Sequence, residues 1–108
     1  MNWIILIIAG FFEAGFATCL GMSNKTSGAS SMYWFIGFIV TLVISMLLLY
    51  KATQTLPIGT AYAVWTGIGA TITAIIGIIV FKEPADFWRI FFISTLIMSI
   101  VGLKFVSN

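Results

Sequence analysis

Glu13 stands by itself inside an unbroken apolar run from Trp3 to Leu20, with no Lys, Arg or His in that run to neutralise it. An ionisable group at membrane depth costs about 3 kcal/mol or more, and such groups face a partner or a cavity rather than lipid. A lone carboxylate there can hold a proton or an organic cation, one at the expense of the other. A second set of residues could line such a site. Tyr62, Trp65, Thr66 and Gly69 fall at i, i+3, i+4 and i+7, one stripe of a helix. A buried Tyr O–H or Trp N–H needs an acceptor, which lipid cannot supply. Thr41 and Ser45, four apart, add a hydroxyl stripe on another segment, although most such hydroxyls bond back to their own helix.

Helical spacing puts Leu6, Ala9, Gly10, Phe16, Ala17 and Leu20 on the same side as Glu13. Gly10 and Ala17 would clear space beside the carboxylate, and Phe16 offers a ring one turn away. Gly10, Ala14 and Ala17 equally fit a close-packing face of small residues. The two roles are compatible, and neither explains a carboxylate.

The elements that must position these groups are bounded by composition. The chain has 108 residues, 61% hydrophobic and 7% charged, against roughly 45–50% and 25% in soluble domains. Four spans of about 20 residues would use most of it, as one all-α membrane domain. A scattered net charge of +2 offers no basic patch for nucleic acid. The absence of His and a lone Cys19 leave no zinc or disulfide framework, so no metal or cofactor is expected. Only Met1 and Asn2 precede the first apolar run. It therefore lacks the basic region of a signal peptide and is expected to stay in the mature protein.

The expected spans are Trp3–Met22, Met32–Tyr50, Ile58–Phe81 and Phe87–Phe105, with aromatic residues at their edges. Ser23 to Ser31, the longest polar run, reads as a flexible loop. Pro57 suits the start of the third helix, and the pair Gly67 and Gly69 suggests a bend within it. Pro84 fits the first position of the fourth helix, with Glu83 and Asp86 as solvated groups at its positive end. Trp88 and Arg89 read as surface anchors, and Lys104 snorkels at the far end. Thr95, Ser99 and Gly102 form a small-residue face that could pack on another helix. Lys51 and Lys104 fall on one side of the membrane and Lys25, Lys82 and Arg89 on the other, almost no bias for orientation. A chain of that kind can insert both ways and pair with an inverted copy, an inverted repeat made from two polypeptides.

Four short spans, a glutamate in the first, and Gly-Thr-Ala-Tyr-Ala-Val-Trp-Thr-Gly-Ile-Gly from Gly59 to Gly69 after Leu56-Pro57 resemble the small multidrug resistance family of bacterial exporters. The likeness covers essentially the whole chain and includes Gly102-Leu103-Lys104. The strings Trp65 to Gly69 and Lys82-Glu83-Pro84 are most similar to the guanidinium-exporter branch. The resemblance implies an antiparallel dimer in the bacterial inner membrane, with both Glu13 carboxylates sharing one chamber. It also implies that Ser45 hydrogen-bonds and orients Glu13, that Tyr62 and Trp65 wall the chamber, and that Gly10 makes room beside the carboxylate. Gly67 and Gly69 would form the bend that differs between subunits, and the fourth span would supply the dimer contact. Phe16 departs from the Trp usual in that branch, and Gly21 from the usual Lys. Both changes resemble members that work as one half of a heterodimer.

The expected activity is proton-coupled export of small organic cations by alternating access, the two carboxylates titrating as a coupled pair. A planar guanidinium can donate a fork of two N–H bonds to a carboxylate, and the Trp65 and Phe16 rings offer cation–π faces to it or to a quaternary ammonium. Broad quaternary-ammonium export is the alternative within transport. An accessory membrane subunit, with Glu13 bonded to a partner helix, is the alternative from another class. No nucleophile–base pair or phosphate loop supports an enzyme.

Overall fold

A backbone in hydrocarbon must satisfy its own polar groups, and each apolar run does so as a helix. The computed structural model describes residues 2–107, in which α1 spans Asn2–Lys25, α2 Gly28–Ala52, α3 Ile58–Ile79 and α4 Phe87–Ser107. All four are long and apolar enough to cross a membrane. The chain is an all-α, multi-pass membrane protein.

The helices lie side by side. α1 packs between α2 and α3, α4 packs on the far side of α3, and α2 touches α3 only narrowly. The result measures 46 × 35 × 17 Å, a flattened layer. Its buried apolar cluster, Leu6 and Ala9 with Leu49, Ala52, Ala61, Val64 and Trp65, sits at one end of the layer, where α1 starts, α2 ends and α3 starts. α4 contributes no buried residue to its spanning window. Towards the opposite end the α1–α3 seam is lined by small residues instead, Ala17 and Gly21 with Ala70, Ala74 and Gly77.

The two ends of the α1–α2 hairpin explain why Ser23 to Ser31 is not the flexible loop its composition suggests. Helix continues to Lys25 and resumes at Gly28, whose φ is +65°. Ser31 Oγ donates to the Ser23 carbonyl at 2.8 Å, and Ser23 Oγ donates to the Ser31 carbonyl at 3.0 Å. Polar residues here spend their hydroxyls tying two helices together.

At the α3–α4 connection, α3 stops at Ile79, two residues short of the expected Phe81. Lys82 takes a left-handed φ of 58°, and the Glu83 amide donates back to the Gly77 carbonyl at 3.0 Å. α4 begins at Phe87, so Pro84 lies in the linker rather than at a first helical position. The capping group is Asp86, whose Oδ1 accepts the Arg89 amide at 2.8 Å. Pro57 does precede the first turn of α3 as expected.

Candidate functional site

Glu13 sits at the middle of α1 on the face turned to α3. Its carboxyl lies directly against Gly69, where an added Cβ would overlap the carboxyl group. The absence of a side chain at 69 is what lets a carboxylate fit between two packed helices. Oε1 is buried and has no hydrogen-bond partner among the described residues. Glu13 is thus an acceptor held in a tight place with no internal donor.

Gly10 plays a different part from the one the resemblance implies. A Cβ there would fall 2.6 Å from Ile68 Cγ2, so its missing side chain admits Ile68 and brings α1 and α3 together. The room beside the carboxyl comes from Gly69. Gly67, two residues earlier, faces the other neighbour: a Cβ there would lie 2.7 Å from Ile100 Cδ1 of α4. The two glycines of α3 therefore serve opposite sides of that helix, which runs through both without a break.

Ser45 is completely buried and does not bond the Glu13 side chain. Its Oγ donates to the Ala9 carbonyl at 2.8 Å and accepts from Trp65 Nε1 at 2.9 Å. In an α-helix the Ala9 carbonyl is also the acceptor for the Glu13 amide. The link from Ser45 to Glu13 thus passes through one backbone carbonyl, and it joins α2, α1 and α3 at a single hydroxyl. Thr41, by contrast, bonds back to the Gly37 carbonyl of its own helix at 2.7 Å. Helical spacing groups the two hydroxyls, but only Ser45 faces another helix.

Trp65 is buried, with its indole N–H satisfied by Ser45 and its ring 5.5 Å from that of Tyr62. Tyr62 is 54% exposed and Thr66 is exposed as well, so the stripe is split between the interior and the open face of the layer. Phe16 meets Phe38 of α2 edge to face at 6.0 Å. The structure brings Glu13 and Gly69 together, and separately Ser45 and Trp65. Tyr62 lies beside Trp65, and Phe16 packs on the core cluster.

A family model described as Small Multidrug Resistance protein matches residues 1–97. The chain belongs to the small multidrug resistance family. Among its relatives is a probable guanidinium efflux system subunit, GdnD, of Bacillus licheniformis, 44% identical over 99% of this chain and 100% of that protein. A guanidinium exporter of Proteus vulgaris is also 44% identical, over 99% of this chain and its own full length. A guanidinium exporter of Escherichia coli strain K12 is 42% identical over 96% of each chain. Family and relatives place this chain among transporters rather than enzymes. The likeness to the guanidinium branch seen in Trp65 to Gly69 extends over nearly the whole chain.

One pair in this small multidrug resistance protein is not legible in sequence. Glu83 and Arg89 read there as a solvated group and a surface anchor. In the structure Arg89 Nη2 donates to Glu83 Oε1 at 2.5 Å, and the Glu83 carboxyl lies against Gly77 as Glu13 lies against Gly69. A spacing of six residues across a turn carries no helical signal, which is why the pattern of residues does not reveal it.

Proposed function

We propose that this chain is one subunit of an antiparallel dimer that exports guanidinium-type cations in exchange for protons, with Glu13 as the group both compete for. The observation that carries the reading is the buried, unpartnered Oε1 of Glu13. A structural carboxylate would have its donor in the fold, whereas a transport site must leave the acceptor for its cargo. Guanidinium suits it because the ion presents parallel N–H donors to a carboxylate. The relatives named guanidinium exporters support that choice over quaternary ammoniums.

The flat shape supports a dimer. A second layer packed on the open face would cover Tyr62 and Thr66 and bring two Glu13 carboxyls into one space. Alternating access then needs the layer to change shape. A bend at Gly67 and Gly69 would shift the α4 contact and the carboxyl contact in the same step. Protons entering from outside displace the cation from Glu13, and the carboxyls, once they release those protons inside, collect cation there. The bacterial inner membrane is the setting such an exchange requires.

A heterodimer is the second reading, favoured by Phe16 and Gly21 and by the word subunit in the name of the Bacillus licheniformis relative. Both readings are tested by proton-coupled guanidinium transport in liposomes. The chain alone transports, and Glu13→Gln abolishes it, if the homodimer is sufficient. Transport that appears only with a co-expressed sister chain selects the heterodimer. Proton-coupled export surviving Glu13→Gln in either setting would overturn the mechanism.

A further inference from the structure

Two carboxylates are seated on α3 in the same way. Glu13 lies against Gly69 and Glu83 against Gly77, eight residues further along, or roughly 12 Å at the helical rise. A cavity of about 460 Å³ lies on the α1–α3 seam beside Glu83, lined by Ala17, Thr18 and Gly21 of α1 and by Thr73, Ala74 and Gly77 of α3. Glu83 and Arg89 stand at its outer end. The seam that is closed by Leu6, Val64 and Trp65 at one end is therefore open at the other, from Ala17, one turn beyond Glu13, to Glu83 and Arg89.

The geometry points to Glu83 as a second cation subsite, at the mouth of this passage, where a guanidinium ion exchanges with the Arg89 side chain on its way to or from Glu13. Arg89 is itself a guanidinium, so Glu83 already holds the chemical group that the export reading assigns as cargo. Arg89 holds Glu83 through a single N–H, Nη2 to Oε1, while its Nε is buried without a partner among the described residues. A free guanidinium can offer two parallel N–H bonds to the same carboxylate. The resident group is thus bound by less than its competitor could use, and the displaced Arg89, about a third exposed, turns its charge to water. The missing side chain at Gly77 seats the Glu83 carboxyl, and that at Gly21 seats the Phe81 ring, which forms part of the cavity wall.

This subsite rests on the reading of Glu13 as the transport site, but the two are separable by experiment. In guanidinium uptake by liposomes, Glu83→Gln raises KM about three- to tenfold with kcat little changed, and Arg89→Gln, which frees the carboxylate, lowers KM. An ion pair with only a structural role would make both variants fail alike, and equal effects overturn the subsite. A second measurement avoids transport altogether. Guanidinium titrated by NMR into the Glu13→Gln protein in micelles binds weakly, in the millimolar range, and this binding is lost in Glu13→Gln/Glu83→Gln. Residual binding that ignores Glu83 removes the proposal. Absence of transport by the wild-type chain, with or without a sister chain, counts against Glu13 as the cation site, while the micelle titration still decides Glu83.

Discussion

The Glu13 carboxyl and the Gly69 backbone occupy adjoining space across the α1–α3 seam, so close that a methyl group at 69 would coincide with the carboxyl. Gly69→Ala must therefore push Glu13 aside or separate the helices. Overpacking of this kind costs about 1–3 kcal/mol, and under the proposed mechanism displacing Glu13 by about 1 Å lowers transport on the order of tenfold or more. Gly59 supplies the control. It lies in the same helix with nothing within 4 Å of where a methyl group would stand, and Gly59→Ala leaves guanidinium transport unchanged. Equal rates for the two variants would mean that the Glu13–Gly69 contact has no part in function.

Ser45 and Trp65 lend themselves to a double-mutant cycle. Ser45→Ala strands the buried Trp65 N–H and removes a donor to the Ala9 carbonyl, a loss of about 1–3 kcal/mol for an orphaned buried group. Trp65→Phe deletes the donor itself and leaves the Ser45–Ala9 bond in place. Denaturant unfolding in micelles gives Ser45→Ala a loss of stability, and the double variant loses less than the sum of the singles by about 1 kcal/mol. Strict additivity would show that the Nε1–Oγ bond at 2.9 Å contributes nothing.

The proposed competition between protons and cargo at Glu13 fixes the sign of the pH dependence. A protonated carboxyl offers no charge to a cation, so lowering the pH weakens guanidinium binding and raising it strengthens binding until Glu13 is fully ionised. Isothermal titration across pH shows this slope in wild type and a flat profile in Glu13→Gln. A slope retained in the variant assigns the competing proton to another group.

How far the sequence foretells these relationships depends on the distance each one spans. The four helices are legible because about 20 apolar residues in a bilayer leave the backbone no other choice. Glu13 is legible because a charge in such a run has no structural excuse. Its neighbour is not. Periodicity places Gly10 on the Glu13 side of α1, and that is correct, but only the packing of α1 on α3 reveals that Ile68 fills the space at Gly10 while Gly69 receives the carboxyl. The same limit applies to Ser45, where helical spacing pairs it with Thr41 but a tertiary contact gives it Ala9 and Trp65. Polar composition misleads at Ser23 and Ser31, because reciprocal hydrogen bonds between two helix ends look like a loop when read along the chain.

Gly102 tests the dimer without disturbing the subunit. It is exposed on α4, and no atom lies within 4 Å of where its Cβ would stand. A larger side chain there starts in open space among the described residues. With Thr95 and Ser99 it forms the small-residue face on a helix that buries none of its spanning window in the subunit, and close approach of two helices depends on such faces. Gly102→Leu therefore keeps the helical circular dichroism and the Trp65 environment of the wild type but loses the dimer in cross-linking, and guanidinium transport falls with it. A fully cross-linked Gly102→Leu protein would move the dimer contact to another face of the layer, with the open sides of α2 next in line.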